Sequence, residues 1–129
     1  MNSKYLLYFL SHGLVHLLLV ALIFFVFRLG LSGLILVFLS SAIIDADHLP
    51  FIKKRGVNWW VKDWGSHAAK SFPLHNFFTM LLFSTTSLLV FIPCLFIIGI
   101  CSLSITLHLL WDFIEDVFIF KMGDKHWGV

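Results

Sequence analysis

Residues 40–50 read SSAIIDADHLP, and this stretch decides how the rest of the chain is interpreted. Two carboxylates and an imidazole, from Asp45, Asp47 and His48, close an apolar run that begins near Leu31. An ionisable group at the centre of a membrane helix costs roughly 2.5–3.5 kcal/mol on insertion scales. A divalent cation would compensate this cost, because zinc and manganese accept Asp oxygens and His nitrogens as ligands. On these residues alone, a polar helix end that marks the membrane surface is an equal alternative.

The composition is that of a membrane protein. Of the 129 residues, 60% are hydrophobic and 12% are charged, and the mean hydropathy is +0.96. Soluble domains have nearer half apolar residues and about a quarter charged ones. Because a helix needs about 20 apolar residues to cross a bilayer, the chain has room for three or four crossings. The net charge of +2 is too small to indicate a nucleic-acid partner. Cys94 and Cys101 lie in apolar sequence and predict packing rather than a disulfide.

The apolar segments predict an all-α fold, an integral membrane four-helix bundle that forms a single domain over residues 1–129. The predicted helices cover about residues 4–27, 34–48, 74–91 and 96–120. The first apolar run is too long for a typical signal-peptide core and lacks an Ala-x-Ala cleavage site, so we expect a retained helix. Pro50 ends the second helix. The polar, tryptophan-containing stretch after it predicts a loop or short helix at the membrane interface.

Lysine and arginine residues fall almost entirely on one side of this topology. Four crossings put both termini and the middle loop on the same side, and only Arg28 lies on the other. The eight residues on the first side are Lys4, Lys53, Lys54, Arg55, Lys62, Lys70, Lys121 and Lys125. Such residues concentrate in cytoplasmic loops. We therefore expect a multi-pass protein of the inner (cytoplasmic) membrane with both termini in the cytoplasm.

Two pairs of ionisable residues have i, i+4 spacing, which places both members on one face of a helix. His12 and His16 form the pair on the first helix, and His108 and Asp112 form the pair on the fourth. A single histidine in a membrane helix is usually a hydrogen-bond partner of a neighbouring helix. For the two histidines on one face, taken alone, such hydrogen bonding and metal ligation both stay open, whereas the His-x-x-x-Asp pair is a natural bidentate arrangement for one ion.

The predicted topology brings these groups into the cytoplasmic leaflet. The second helix ends on that side, the third begins there with His75, and the fourth returns there. Left uncompensated, the cost of these groups would sum to on the order of 10 kcal/mol, comparable to the stability of a whole domain. A shared metal site removes the difficulty. Glu115 and Asp116 lie nearer the end of the fourth helix, where we expect them to face water.

Eight residues are the predicted metal ligands: His12, His16, Asp45, Asp47, His48, His75, His108 and Asp112. Because one tetrahedral ion takes four ligands, the alternatives are two ions bridged by a carboxylate or one ion with additional hydrogen-bonding residues around it. We expect zinc, with manganese or iron as alternatives. Two ions about 3.5–4 Å apart suit phosphoester hydrolysis. The chain has no serine-hydrolase, zincin or nucleotide-binding motif.

Four short motifs, taken in order, resemble a known group of proteins. They are His12-x-x-x-His16, Ile44-Asp45-Ala46-Asp47-His48, Phe72-Pro73-Leu74-His75-Asn76 and Leu107-His108-Leu109-Leu110-Trp111-Asp112. The set resembles the small membrane-bound metal-dependent hydrolases, which include the LexA-regulated inner-membrane hydrolases. The resemblance implies a hydrolase and leaves the substrate open. Larger members tend to carry His-Arg-x-x-Thr-His-Ser before the third helix. In this chain Ser66-His67 stands apart from His75, so His67 is not carried over as a ligand.

The leading functional prediction is a membrane-embedded metal-dependent hydrolase that cleaves a phosphoester of a lipid or lipid-linked substrate at the cytoplasmic leaflet. Asp45 and His75 are the predicted catalytic residues, as a carboxylate or imidazole that moves a proton. The anionic headgroup would bind a cationic set formed by Lys53, Lys54, Arg55 and Lys70. Membrane lipid is the expected partner, and nucleic acid is not expected.

Two alternatives come from other functional classes. One is a metal-ion carrier or metal-binding membrane protein, and the other is a structural or regulatory protein whose bundle a metal stabilises. A carrier needs polar residues through the outer leaflet, and residues 17–27 and 88–100 contain almost none. A closed structural site would have the same sequence pattern as a catalytic one.

Overall fold

The computed structural model describes residues 3–50, 53 and 74–119, and this part of the chain contains helices and turns and no strand. The elements assigned in this part of the chain include four α-helices: α1 Ser3–Val26, α2 Leu31–Ile43, α3 Phe77–Ser87 and α4 Phe96–Ile114. The predicted all-α class with four helices is therefore confirmed.

Three of the predicted helices change geometry towards their C-terminal ends. The second, predicted to run to residue 48, becomes a 3-10 helix over Ile44–His48. The third begins at Phe77 rather than 74, because Asn76 takes an extended conformation and its side chain accepts a hydrogen bond from the Thr79 N–H. It continues as a 3-10 helix over Leu88–Phe91, and α4 continues as a π-helix over Glu115–Ile119.

Helix α4 is the centre of the packing, since it contacts each of the other three helices. One buried apolar cluster contains Val20, Ile23, Val37 and Ile100. A second contains Ile44, Ile105 and Leu109. Between them the Ser104 hydroxyl on α4 donates a hydrogen bond to the Val37 carbonyl on α2. This bond satisfies a buried hydroxyl and fixes the two helices against each other.

Two helical segments in the described residues are long and apolar enough to cross a membrane: Leu31–His48 and Pro93–Phe118. Two shorter apolar helical segments, Leu10–Val26 and Phe77–Phe91, fall below that length. Large apolar side chains are exposed on all four helices. Two of the four predicted crossings have candidates of full length in the described residues, and the remaining crossings stay a prediction.

Candidate metal centre

Seven side chains converge at one end of the bundle as two groups that could each hold a metal ion. The first group is His12, His16, His108 and Asp112, and the second group is Asp45, His48 and His75. Within each group, one ligand atom from every member lies within 4.8 Å of the others. Nitrogen and carboxylate oxygen donors at such spacing suit zinc and similar divalent ions.

The first group forms where α1 packs against α4. His12 and His16 are one turn apart on α1, and His108 and Asp112 are one turn apart on α4, so each pair lies on one face. The rings of His16 and His108 stack with their centroids 3.8 Å apart. Ser41 on α2 lies behind His108, with Oγ 3.0 Å from Nδ1. This contact occupies Nδ1 and leaves Nε2 of His108 on the side of the carboxylates.

The second group depends on the 3-10 helix that follows α2. A 3-10 helix has three residues per turn, so Asp45 and His48 lie on the same side of it. His75 lies immediately before Asn76, which is the N-cap residue of α3. The rings of His48 and His75 meet edge to face with centroids 4.6 Å apart.

Asp47 is a member of neither group and instead contacts two histidines of the second one. Its Oδ1 is 2.7 Å from Nδ1 of His48, and its Oδ2 is 3.2 Å from Nδ1 of His75. The same Oδ2 accepts a hydrogen bond from the Leu74 backbone N–H at 3.0 Å. These contacts fix the residues that precede α3 to the end of α2. Direct ligation by Asp47 stays a prediction.

The two groups join through two carboxylates. Asp112 Oδ1 lies 3.3 Å from Nε2 of His16, while its Oδ2 lies 3.1 Å from Nε2 of His108 and 3.3 Å from Nε2 of His75. Asp45 Oδ1 lies 3.4 Å from Nε2 of His108 and 3.6 Å from Nε2 of His75. Nε2 atoms from α1, from α4 and from the bend before α3 therefore face the same small volume.

The donor set fits a metal because several of its atoms are buried without a hydrogen bond. Among the described residues, Nε2 of His16, Nε2 of His108 and both carboxylate oxygens of Asp112 have no hydrogen-bond partner. Nε2 of His16 lies 3.3 Å from Oδ1 of Asp112 and Nε2 of His108 lies 3.1 Å from Oδ2, yet neither pair is aligned as donor and acceptor. Buried polar atoms are rarely left in this state, and a cation between them would satisfy all four.

The charges of the buried carboxylates and imidazoles also favour a metal ion at this centre. Four carboxylates, of Asp45, Asp47, Asp112 and Glu115, have only imidazoles as ion-pair partners in the described residues. Burial disfavours the charged form of His75, but Asp112, Asp45 and Asp47 outweigh this and hold the pKa of His75 well above its usual value. Divalent ions would neutralise the carboxylates and displace such protons from the histidines.

The expectation that Glu115 and Asp116 face water is wrong. Both side chains are buried, and Oε2 of Glu115 lies 2.7 Å from Nδ1 of His12. His108, Asp112 and Glu115 are spaced i, i+4, i+7, which is one stripe of a helix. That spacing was available in the sequence and could have identified Glu115. The position of Glu115 near the predicted end of the helix wrongly indicated that its side chain faces water.

The predicted headgroup-binding residues fall mostly outside the described residues. Lys53 is described and exposed. Outside the described ranges lie Lys54, Arg55 and Lys70, so headgroup binding by these residues stays a prediction. His67 also lies outside those ranges.

Comparison with known proteins gives no match: no protein-family model, no curated protein and no solved structure corresponds to this chain. The resemblance to membrane-bound metal-dependent hydrolases therefore remains an expectation that depends on the motifs alone.

Proposed function

We propose that this protein is a membrane-embedded metal-dependent hydrolase that cleaves a phosphoester of a lipid or lipid-linked substrate. The observation that carries the proposal is the convergence of two groups of ligand atoms on the shared carboxylate of Asp112. Two neighbouring metal sites joined by a carboxylate are the arrangement that phosphoester hydrolysis uses.

The surface of the helices supports a membrane location. Only 22% of Leu31–His48 is buried, and only 39% of an apolar 18-residue stretch within Pro93–Phe118. The core helix of a soluble protein is instead mostly buried. Phe25, Phe78 and Phe91 are each at least 74% exposed. Apolar surface of this extent fits a lipid environment. With the basic residues on one side, it supports four crossings with cytoplasmic termini.

Among the described residues of the centre, Asp45 is the most exposed. The Asp45 side chain is 34% exposed, whereas the other residues of the two groups are at most 15% exposed. A catalytic metal site keeps an open position, while a structural one is closed by its ligands. This exposure favours an enzyme over a bundle that a metal merely stabilises.

The chemistry assigns different work to the residues of the site. A divalent ion supplies Lewis acidity, which polarises a phosphoryl oxygen and lowers the pKa of water. Asp45, the most exposed of these residues, accepts the proton of the attacking water. His75 lies 3.6 Å from Asp45 and 3.3 Å from Asp112, contacts that orient its ring within the centre, where it would help to move the proton. Lys53 is exposed beyond the end of the 3-10 helix and would attract an anionic headgroup.

A metal carrier is the weaker alternative. Beyond the centre the bundle is filled by Val20, Ile23, Val37 and Ile100, all less than 7% exposed. An ion leaving the centre in that direction would meet no polar ligand among them, at a high desolvation cost.

Metal content and hydrolysis of lipid phosphoesters test the proposal together. Protein purified in detergent without chelators should contain one or two divalent ions per chain and should release product from phospholipid or isoprenoid-phosphate substrates. Asp45→Asn should retain the metal in part and lose hydrolysis, because its base is gone. Well under one equivalent of metal in the wild type would refute the metal centre, and full activity of Asp45→Asn would refute the role of Asp45.

The orientation has a separate test. A reporter fused after Val129 should read out as cytoplasmic. An external location would overturn the topology and place the centre in the opposite leaflet, away from the predicted cytoplasmic substrate.

A further inference from the structure

Glu115 is a buried carboxylate whose environment is built around one contact. Its side chain is 1% exposed, and Oε2 lies 2.7 Å from Nδ1 of His12. The two residues are 103 positions apart, so the contact joins the end of α4 to α1. Burying a carboxylate is costly unless it is paired and hydrogen-bonded. The contact with His12 therefore compensates the burial of the Glu115 carboxylate.

The backbone changes geometry at this residue. Helix α4 ends at Ile114, and Glu115 begins the π-helix Glu115–Ile119. Short π-helical segments are rare and often occur at functional sites. Here the change begins at Glu115, which contacts His12 of the first group.

The other histidines show what such a contact achieves. His108 has Nδ1 against Ser41, and His75 has Nδ1 against Asp47. In both residues Nε2 is the nitrogen that faces the carboxylates of the centre. The partner on Nδ1 thus lies outside the two groups, while Nε2 points into them.

His12 has Glu115 as the nearer partner of its Nδ1, at 2.7 Å, while Oδ1 of Asp112 lies 3.6 Å from the same nitrogen. A carboxylate accepts a hydrogen bond from Nδ1–H, and the neutral ring then carries its lone pair on Nε2. Metal-binding histidines commonly donate their other N–H to a carboxylate, which fixes the tautomer and the ring and makes the ligand more basic.

We propose that Glu115 is the positioning residue for His12: it holds the proton on Nδ1 and fixes the ring so that Nε2 is the metal-binding nitrogen. The inference rests on the proposed metal centre and adds to it a residue outside both ligand groups. The π-helical segment at the end of α4 then has a structural role, because it carries the carboxylate that contacts His12 on α1.

Metal affinity of the purified protein, measured with Zn²⁺ or Co²⁺ against a chromophoric chelator, tests the inference. Glu115→Ala should weaken binding about 10- to 100-fold. Glu115→Gln should stay close to the wild type, because the amide oxygen accepts the same hydrogen bond. Glu115→Ala in a His12→Ala background should add little, since its effect acts through the ring already removed. Thr106→Ala is the control on α4, because that hydroxyl bonds only within its own helix, to the Ser102 carbonyl.

The outcomes separate the inference from the proposed function. A wild type that binds no metal overturns both. A wild type that binds metal with unchanged affinity in Glu115→Ala overturns the positioning role alone. Equal losses in Glu115→Gln and Glu115→Ala, additive with His12→Ala, would make Glu115 a ligand and also overturn the role. Should Glu115→Ala not fold, Glu115→Gln decides: the proposal requires near wild-type affinity, with ¹⁵N NMR showing the proton on Nδ1 of His12.

Discussion

The carboxylate of Asp112 lies against the imidazole of His75, with Oδ2 3.3 Å from Nε2. Asp112 is part of the first group and His75 of the second, so this contact joins the two. The other oxygen of Asp112 faces His16 on α1 at 3.3 Å. One side chain on the central helix therefore faces histidines from both groups, and losing it should disturb both.

Replacing Asp112 by asparagine tests this shared role. The change keeps the size of the side chain and removes its charge, so the metal loses an anionic ligand in a buried site. Losing one partner of a buried charged set costs about 3–5 kcal/mol, which is at least about 100-fold in affinity. We expect metal content and hydrolysis to fall together in Asp112→Asn, by elemental analysis and product release. Thr106→Ala on the same helix should leave both unchanged. A fully metallated, active Asp112→Asn would remove Asp112 from the site.

Asp47 gives a second prediction, because it connects the end of α2 to the residues before α3. Asp47→Ala removes the acceptor of the Leu74 N–H and the partner of His48 and His75. Metal content and hydrolysis should be lost, while Asp47→Asn should recover part of the metal through its remaining carbonyl oxygen. Combining Asp47→Ala with Asp112→Ala should be little worse than either alone, since residues that act as one unit are not additive. Additive losses would indicate that Asp47 acts outside the centre.

The helices and most of the centre follow from the sequence because simple periodicities determine them. Apolar runs of helical length predicted four helices, and four are present in the described residues. The i, i+4 spacing predicted that His12 and His16, and likewise His108 and Asp112, share a face. Topology then predicted that these pairs meet at one end of the bundle, as the first group does.

What the sequence did not predict depends on local backbone geometry and on packing between helices. Nothing in residues 44–48 distinguishes an α-helix from the observed 3-10 helix, in which Asp45 and His48 are eclipsed rather than only neighbouring on one face. The burial of Glu115 requires α1 to pack over the end of α4, a contact that no single-segment pattern contains. The sequence places Ser41 within the predicted second helix, and its contact with His108 appears only in the packed bundle.

Gly99 predicts a sensitive position away from the centre. A Cβ atom there would lie 2.1 Å from the backbone nitrogen of Val90 and 2.6 Å from the carbonyl carbon of Leu89. Backbone atoms cannot move aside as a flexible side chain can, so α4 must separate from the 3-10 helix Leu88–Phe91. Overpacking of this kind typically costs about 1–3 kcal/mol. Gly99→Ala should therefore lower the Tm in detergent.

Gly13 offers the matched control, because a Cβ atom there meets nothing within 4 Å. Gly13→Ala lies within α1 and should be neutral or stabilising, since alanine is the better helix former by about 1 kcal/mol. Equal Tm values for the two variants would show that α4 and the Leu88–Phe91 segment do not pack as closely as described.

The turn between α1 and α2 gives the last prediction. Arg28 has a φ of 50°, in the left-handed region, and is the only non-glycine residue with a positive φ in the described part of the chain. Two hydrogen bonds close the end of α1 around it: Leu29 N–H to the Phe24 carbonyl at 3.1 Å and Arg28 N–H to the Phe25 carbonyl at 3.3 Å. This is the Schellman arrangement, in which glycine is the usual left-handed residue.

A side chain in the left-handed conformation costs about 1–2 kcal/mol, which glycine avoids. Arg28→Gly should therefore be more stable than Arg28→Ala by about 1 kcal/mol, measured as the free energy of unfolding in detergent. Both variants lose the same charge, so the comparison isolates the backbone. Both variants also lack the basic side chain. Because Arg28 lies on the predicted external side, we expect the membrane orientation of both variants to stay unchanged. Equal stability of the two variants would place Arg28 outside the left-handed conformation and remove the Schellman end of α1.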